Sequence, residues 1–343
     1  MKLTSKVLLA AAGLAAFAFS PANAYEAGYP AAALKAGSFI GSSAGVPPPG
    51  IYMFNQIFTF QGNVAGPGVN SALGGNNRVG YQAGYDAQGF LFVPGWTFLG
   101  ATYDAVLVQP FGMNSIGSPE NLQYSGVHNT YVVPVELSWK LGTSGFLVKS
   151  GLGIWAPTGT IQGPTGLNNQ GSPWWTFSPE LIISYLGGGW NLSVALSEEI
   201  NTVNRISHYT TGNIFHADFT ATKTFGKWTL GPVAYFYGQV TDDSCVANCL
   251  PFTAHGLGTL TNAQRFSVWA VGGLIEYNFG PASLSVWATQ EVSAKASNAA
   301  ALASRFTGGQ DFSVIAQGST VFATLSYRLW GPEEPKKPAM YRK

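Results

Sequence analysis

The chain has 343 residues, a formal net charge of +1, 10% charged residues and 14% aromatics. A soluble domain carries about 25% charge, so this composition excludes an ordinary water-facing surface. The near-neutral balance leaves no basic stripe to neutralise phosphates, which excludes nucleic acid as a partner.

The N-terminus, Met1-Lys2-Leu3-Thr4-Ser5-Lys6, leads into an apolar run from Val7 to Phe19 and then Ala22-Asn23-Ala24. That order predicts a secretory signal over 1–24 with a small-residue cleavage site. An apolar run of about 13 residues is too short for a transmembrane helix. Export without helical spans leaves a soluble exported protein or a β-barrel. Residues 25–50 lack strand alternation and end in Val46-Pro47-Pro48-Pro49-Gly50. They read as a periplasmic leader or as a plug inside a barrel, and their composition favours a proline-stiffened leader.

From Ile51 to Trp330 the alternation predicts about 12 strands. They fall at 51–60, 80–92, 96–109, 127–141, 145–156, 174–186, 190–203, 214–225, 228–240, 265–279, 282–293 and 317–330. Each is long enough to cross a bilayer when tilted. Their connections alternate in length. Val93-Pro94-Gly95, Gly142-Thr143-Ser144, Gly187-Gly188-Gly189, Gly226-Lys227 and Gly280-Pro281 are tight turns between antiparallel neighbours. The others run about 10 to 24 residues, rich in Gly, Asn, Ser, Thr and Pro. Outer-membrane barrels have this polarity, short turns on the periplasmic side and long loops outside. An even strand number sets both ends of the barrel, and with them both termini, on the periplasmic side.

Alternation separates two faces. Phe215, Ala217, Phe219, Ala221 and Phe225 oppose His216, Asp218, Thr220, Thr222 and Thr224. Tyr131, Val133, Val135, Leu137, Trp139 and Leu141 oppose Glu136, Ser138 and Lys140, and similar series run through Leu192–Glu199 and Thr320–Leu329. The apolar series is expected to meet lipid and the polar one a wet interior. Trp96, Trp139, Trp155, Trp174, Trp175, Trp190, Phe225, Trp228, Tyr277, Phe279 and Trp330 stand near strand ends, where amphipathic rings form girdles at the headgroup level.

The polar and charged residues expected to face inward are Asp104, Glu136, Lys140, Lys149, Glu180, Glu199, His216, Asp218, Glu276 and Arg328. In a low-dielectric wall such charges must pair or touch lumen water. They form either a structural network or a polar track for solutes. Val106, Val132, Leu147, Trp155, Ile182, Val268 and Leu274 add apolar lining, which suits an aromatic or hydrocarbon solute better than an ion. About 12 strands enclose a narrow or partly obstructed bore. Cys245 and Cys249 lie in the longest loop, where an oxidising compartment favours a disulfide over a metal site. Glu333-Glu334-Pro335-Lys336-Lys337-Pro338 reads as a solvated periplasmic tail within 331–343. Although His216 and Asp218 share a strand face, an inward polar ladder is the better reading than a catalytic pair.

Two stretches carry a family resemblance. The runs Gly151-Leu152-Gly153-Ile154-Trp155-Ala156-Pro157-Thr158-Gly159 and Pro173-Trp174-Trp175-Thr176-Phe177-Ser178-Pro179 form the first. Tyr209-Thr210-Thr211-Gly212-Asn213-Ile214-Phe215-His216-Ala217-Asp218, followed by Gly238-Gln239-Val240-Thr241-Asp242-Asp243, forms the second. Together they resemble the family of outer-membrane proteins named for the meta-pathway of phenol degradation. The resemblance implies a barrel in the bacterial outer membrane with a role in uptake of aromatic or other hydrophobic compounds, and no defined catalytic residues. Cys245, Cys249 and the tail after Trp330 depart from the pattern.

The expectation is therefore an all-β, antiparallel up-and-down transmembrane barrel over 51–330, without cofactor, metal or enzymatic activity. Its partners are outer-membrane lipid and a small hydrophobic or aromatic solute that it carries inward. The competing expectation is a structural or adhesive barrel with a closed lumen and partner-binding loops.

Overall fold

A computed structural model describes residues 29, 32–66, 70, 78–118, 121–162, 169–241, 243–245, 264–298 and 315–332. The expected signal over 1–24, Cys249 and its pairing with Cys245, and the charged tail from Glu333 onward lie outside the described residues.

In chain order the strands are β1 (Gly50–Ala65), β2 (Val79–Val93), β3 (Thr97–Phe98), β4 (Ala101–Ile116), β5 (Leu122–Val127), β6 (Thr130–Lys140), β7 (Phe146–Ala156) and β8 (Thr176–Gly187). There follow β9 (Trp190–Asn201), β10 (Tyr209–Thr210), β11 (Ile214–Phe225), β12 (Trp228–Gln239), β13 (Ser244–Cys245), β14 (Gln264–Asn278), β15 (Ala282–Asn298) and β16 (Ile315–Trp330). Twelve of these are staves, each antiparallel to its sequence neighbour, and β1 pairs with β16 along its whole length to close the ring. Closure leaves no sheet edge, so every stave finds backbone partners on both sides without help from water. The expectation of a closed antiparallel barrel of about 12 staves is borne out.

The four short strands extend the wall at its rims. β3 folds back on β4, so the first tight connection runs on past Gly95 to Leu99-Gly100 before the next stave begins. β5 pairs with the far end of β4, and β10 pairs with β13 to clasp two long connections together.

One stave breaks parity. Val106 pairs with Val133 and Asp104 with Glu136, so one residue of β4, Ala105, faces two of β6, Pro134 and Val135. The extra residue is a β-bulge around Pro134, whose missing N–H cannot serve a ladder. Before the bulge, Tyr131 and Val133 turn inward and are buried; after it, Val135 turns outward and Glu136 inward. This corrects the simple alternation, which placed Tyr131 and Val133 on the lipid face and Val132 inside.

Outside, Leu107, Val135, Leu192, Leu230, Val271, Ile275, Val321 and Leu325 are exposed. So much bare aliphatic surface on alternate residues is costly in water and is at home against acyl chains. Trp96, Phe98, Trp190, Phe225, Trp228, Phe279 and Trp330 are exposed together at the short-turn rim, a girdle at one interface. Trp155 and Trp174 leave that series and are buried inside.

Inside, residues 32–49 form a strap. Tyr29 packs edge-on against Trp174, 5.1 Å between ring centroids, at the long-connection end of the barrel. From there the chain descends along β9, β11 and β8 to Pro47–Pro49 beside the start of β1. The composition-favoured leader thus gives way to an interior element, because its small residues, Ala32, Ala33, Ala36, Gly37, Gly41 and Ala44, let backbone lie close to the wall. β1 begins and β16 ends at the short-turn rim, whereas the described N-terminal end of the strap points back toward the other rim.

Candidate functional site

The interior wall carries two kinds of surface, and the strap divides them. On the β8–β9–β11 side, polar side chains are spent on strap backbone. Glu199 accepts from Ala33 N at 2.9 Å and Leu34 N at 2.8 Å. Asp218 accepts from Gly37 N at 3.0 Å and Phe39 N at 2.9 Å. Thr220 and Ser184 hydroxyls accept from Gly41 N and Ala44 N. A carboxylate gripping two backbone N–H groups is a charge-assisted anchor of about twice the usual strength. Gly37 and Gly41 have φ of 89° and 85°, a conformation that favours glycine and turns successive N–H groups toward one oxygen pair.

At the short-turn rim the strap is held by its carbonyls. Tyr52 OH donates to Pro48 O at 2.6 Å, and Arg328 Nη2 donates to Pro49 O at 2.5 Å. Prolines offer acceptors only, so donors must come from the wall. Trp287 Nε1 adds a bond to Gly37 O at 3.1 Å.

A second cluster crosses β4, β6 and β7. Lys149 Nζ lies 3.1 Å from Asp104 Oδ2 and 3.0 Å from Glu136 Oε2, with all three side chains buried. Tyr131 OH donates to Glu180 beside it. Gly153 makes this neighbourhood possible: a Cβ there would meet Tyr131 Cε2 at 2.5 Å and Glu180 Oε1 at 2.7 Å.

Of the residues singled out from the sequence, Asp104, Glu136, Lys149, Glu180, Glu199, His216 and Asp218 are buried inside the barrel. Glu276 is half-buried and accepts from Ser285 Oγ, while Lys140 and Arg328 are exposed near the short-turn rim. His216 Nε2 stands 3.0 Å from Glu199 Oε1. Asp218 spends both oxygens on the strap, so it does not orient His216 as a catalytic carboxylate would.

The motif residues after β9 also meet. Asp243 accepts from Tyr209 OH, from Gly212 N at 2.6 Å and from Gln239 Nε2 at 2.7 Å, and so locks the two long connections at one rim.

On the opposite wall the strap leaves space. A chamber of about 790 Å³ lies between it and β1, β2, β4, β15 and β16, lined by Phe54, Phe58, Tyr85, Val106, Val108, Tyr131, Trp155, Trp287 and Phe322 among others. Phe58 and Phe322 sit 4.8 Å apart and Phe322 stacks on Trp287 at 4.9 Å. Above this aromatic layer a vestibule of about 1060 Å³ opens among the long-connection ends, with Arg78, Arg265, Lys295 and Phe266 in its wall. The interior thus holds two chambers, one at the long-connection end and one beside the strap.

Sequence reasoning missed Lys35, His128, Tyr85 and Glu291. Lys35 Nζ donates to Ala32 O at 2.6 Å and lies 4.7 Å from the Tyr85 ring centre. Burial lowers its pKa to about 8 against the raising pull of Glu199. His128 sits edge-on between Tyr85 and Trp155 at 5.4 and 5.6 Å, where burial first, and the Lys35 charge second, lower its pKa to about 3. Glu291 accepts from Tyr235 OH and Gly318 N. The available signal for Lys35 was its isolation, the single cation in a stretch of small and apolar residues from Tyr25 to Gly50.

The family described as "Putative MetA-pathway of phenol degradation" matches residues 61–306. No curated protein matches the sequence. Among solved structures, the COG4313 outer membrane channel from Pseudomonas putida F1 superposes with a TM-score of 0.62 at 10% identity, covering 83% of this chain and 98% of that one. The translocator domain of the autotransporter NalP from Neisseria meningitidis reaches 0.43 at 11% identity, with 82% and 90% covered. A mutant of the TodX monoaromatic hydrocarbon channel reaches 0.41 at 9%, with 90% and 97% covered. The first likeness carries the fold, and the other two are too loose to carry more.

Proposed function

This chain belongs to the phenol-degradation family of outer-membrane barrels, and from that premise we propose that it is a conduit for small hydrophobic or aromatic molecules. The observation that carries the reading is the chamber of about 790 Å³ walled by Phe54, Phe58, Tyr85, Trp155, Trp287 and Phe322 within the barrel. Pockets for small molecules are concave, mostly apolar and furnished with a few convergent polar groups, and this chamber has that character. An ion would find a greasy wall, whereas a single aromatic ring finds faces and edges to pack against. The chain's partners on this reading are the lipid around its apolar belt and the solute inside it. The buried charges serve mainly as anchors and braces, with Glu136 and Lys149 reaching the chamber wall.

The test is flux. Purified protein in liposomes should admit small aromatics faster than sugars or amino acids of similar size. The absence of flux for every solute would leave a closed barrel with binding loops as the better account. The aromatic walls of the chamber make toluene and phenol the natural first solutes.

A further inference from the structure

Among the described residues, three side-chain nitrogens in one corner of the inner chamber have no hydrogen-bond partner of good geometry: both ring nitrogens of His128, whose ring lies near the Asn129 backbone, and Nε1 of Trp155. His128 is 2% and Trp155 5% exposed, and both line the chamber. Buried polar atoms are nearly always paired, so an orphan set on one wall asks for a ligand. The corner is also rigid. Asn129, next in the chain, accepts from Gly159 N and Ser172 N and donates to Ser172 O, while Gln109 Nε2 donates to His128 O at 2.9 Å.

We propose that the corner formed by His128, Trp155, Tyr85 and Lys35 is a binding subsite for a neutral single-ring aromatic bearing one hydroxyl group. The chemistry follows from the orphans. A neutral imidazole offers one acceptor and one donor, and an indole offers a donor. A phenolic hydroxyl both donates and accepts, so it satisfies the bare imidazole nitrogen and takes a bond from Trp155, His128 or Lys35. Its ring lies among aromatic faces at the distances these side chains already keep from one another. The low pKa of His128 keeps the acceptor nitrogen bare at neutral pH.

The same corner discriminates. Toluene fits the walls but leaves the orphans unpaired, the mismatch that polar sites penalise most. Benzoate brings a charge into a chamber where the wall's Lys149 is already paired with Asp104 and Glu136, and Glu199 grips the strap next to Lys35. Lys35, the strap's own cation, already donates to Ala32 O. An aromatic anion is therefore held less well than a neutral phenol.

This proposal rests on the conduit reading for the route by which a ring arrives, and the experiment separates the two. Radiolabelled phenol, benzoate and toluene are offered to the full chain in detergent by equilibrium dialysis, with folding checked by heat-modifiable migration. Phenol should saturate, benzoate should bind at least about tenfold more weakly, and His128→Phe should weaken phenol about tenfold while leaving toluene unchanged. Trp155→Phe, which keeps a ring and removes the donor, reads the same preference should the first variant fail to fold. Equal binding of phenol and toluene, unsaturable phenol, or variants without effect would overturn the subsite. Flux in liposomes with no preference for phenol overturns the subsite and leaves the conduit standing; saturable, His128-dependent binding without flux does the reverse.

Discussion

The two halves of the lumen wall are built from the same alternating staves and do opposite things. On β8, β9 and β11 the inward positions include Ser184, Glu199, Asp218 and Thr220, each of which holds strap backbone. On β1, β2, β15 and β16 they are Phe54, Phe58, Tyr85, Trp287 and Phe322, and together they wall a chamber. A polar side chain on a barrel's inner face must find a partner, and a peptide strand with its row of N–H groups is a compact way to supply one. Where the wall is aromatic the strap is held by fewer bonds, such as those from Trp287 and Gln56 to its carbonyls, and space remains. The bore is set by where carboxylates stand as much as by strand number.

The strongest way to break this contrast is to remove the anchors. Replacing Glu199 and Asp218 together by Ala takes away four charge-assisted bonds to backbone. At about 1.5–3 kcal/mol for each bond to a charged group, the strap should leave the wall. Single-channel conductance in planar bilayers should then rise severalfold over the native barrel. An unchanged conductance would mean that packing on Trp174 and the rim clamp at Pro48 and Pro49 hold the strap without the carboxylates.

Next in size is the brace beneath the chamber. Lys149→Met strands Asp104 and Glu136 as facing buried carboxylates on paired strands. Loss of one partner from a buried ion pair costs about 3–5 kcal/mol. The folded, fast-migrating species should therefore convert to the slow one at a clearly lower temperature on electrophoresis. The triple change that also converts Asp104 and Glu136 to Leu should recover most of that loss.

A smaller effect belongs to Gly153. Alanine there forces Tyr131 or Glu180 to move, since the added carbon meets both inside 3 Å. Overpacking of this kind costs about 1–3 kcal/mol, and the same thermal assay should register it below the Lys149 variant. Gly153→Ala combined with Tyr131→Phe tests which neighbour gives way.

Much of this was legible in the chain. Alternation through Phe215–Phe225 read correctly as two faces because a stave that spans a bilayer is regular by necessity: each backbone group pairs, so side-chain parity is conserved along it. It failed at Tyr131 and Val133 because Pro134 interrupts the ladder, and a bulge reverses parity without changing hydropathy. The strap was illegible for a different reason. Its docking depends on Glu199 and Asp218, more than 160 residues away, and composition reports only that such a segment has small side chains and prolines. His128 was hidden because a lone histidine before a stave has no period at all.

That histidine offers the finest test of the contrast, since it sits on the aromatic wall and no carboxylate among the described residues bonds to it. Burial holds its folded pKa near 3, below an ordinary value of about 6.5. The unfolded chain therefore binds a proton in that window and the folded chain does not. The stability this group contributes is complete above about pH 6.5 and declines as pH falls toward 3. In folded protein labelled at histidine, the His128 ring resonances should stay at their neutral positions from pH 8 to pH 5. Titration of His128 near 6 would show that water or a carboxylate reaches the aromatic side, and the division between the two walls would then be one of degree.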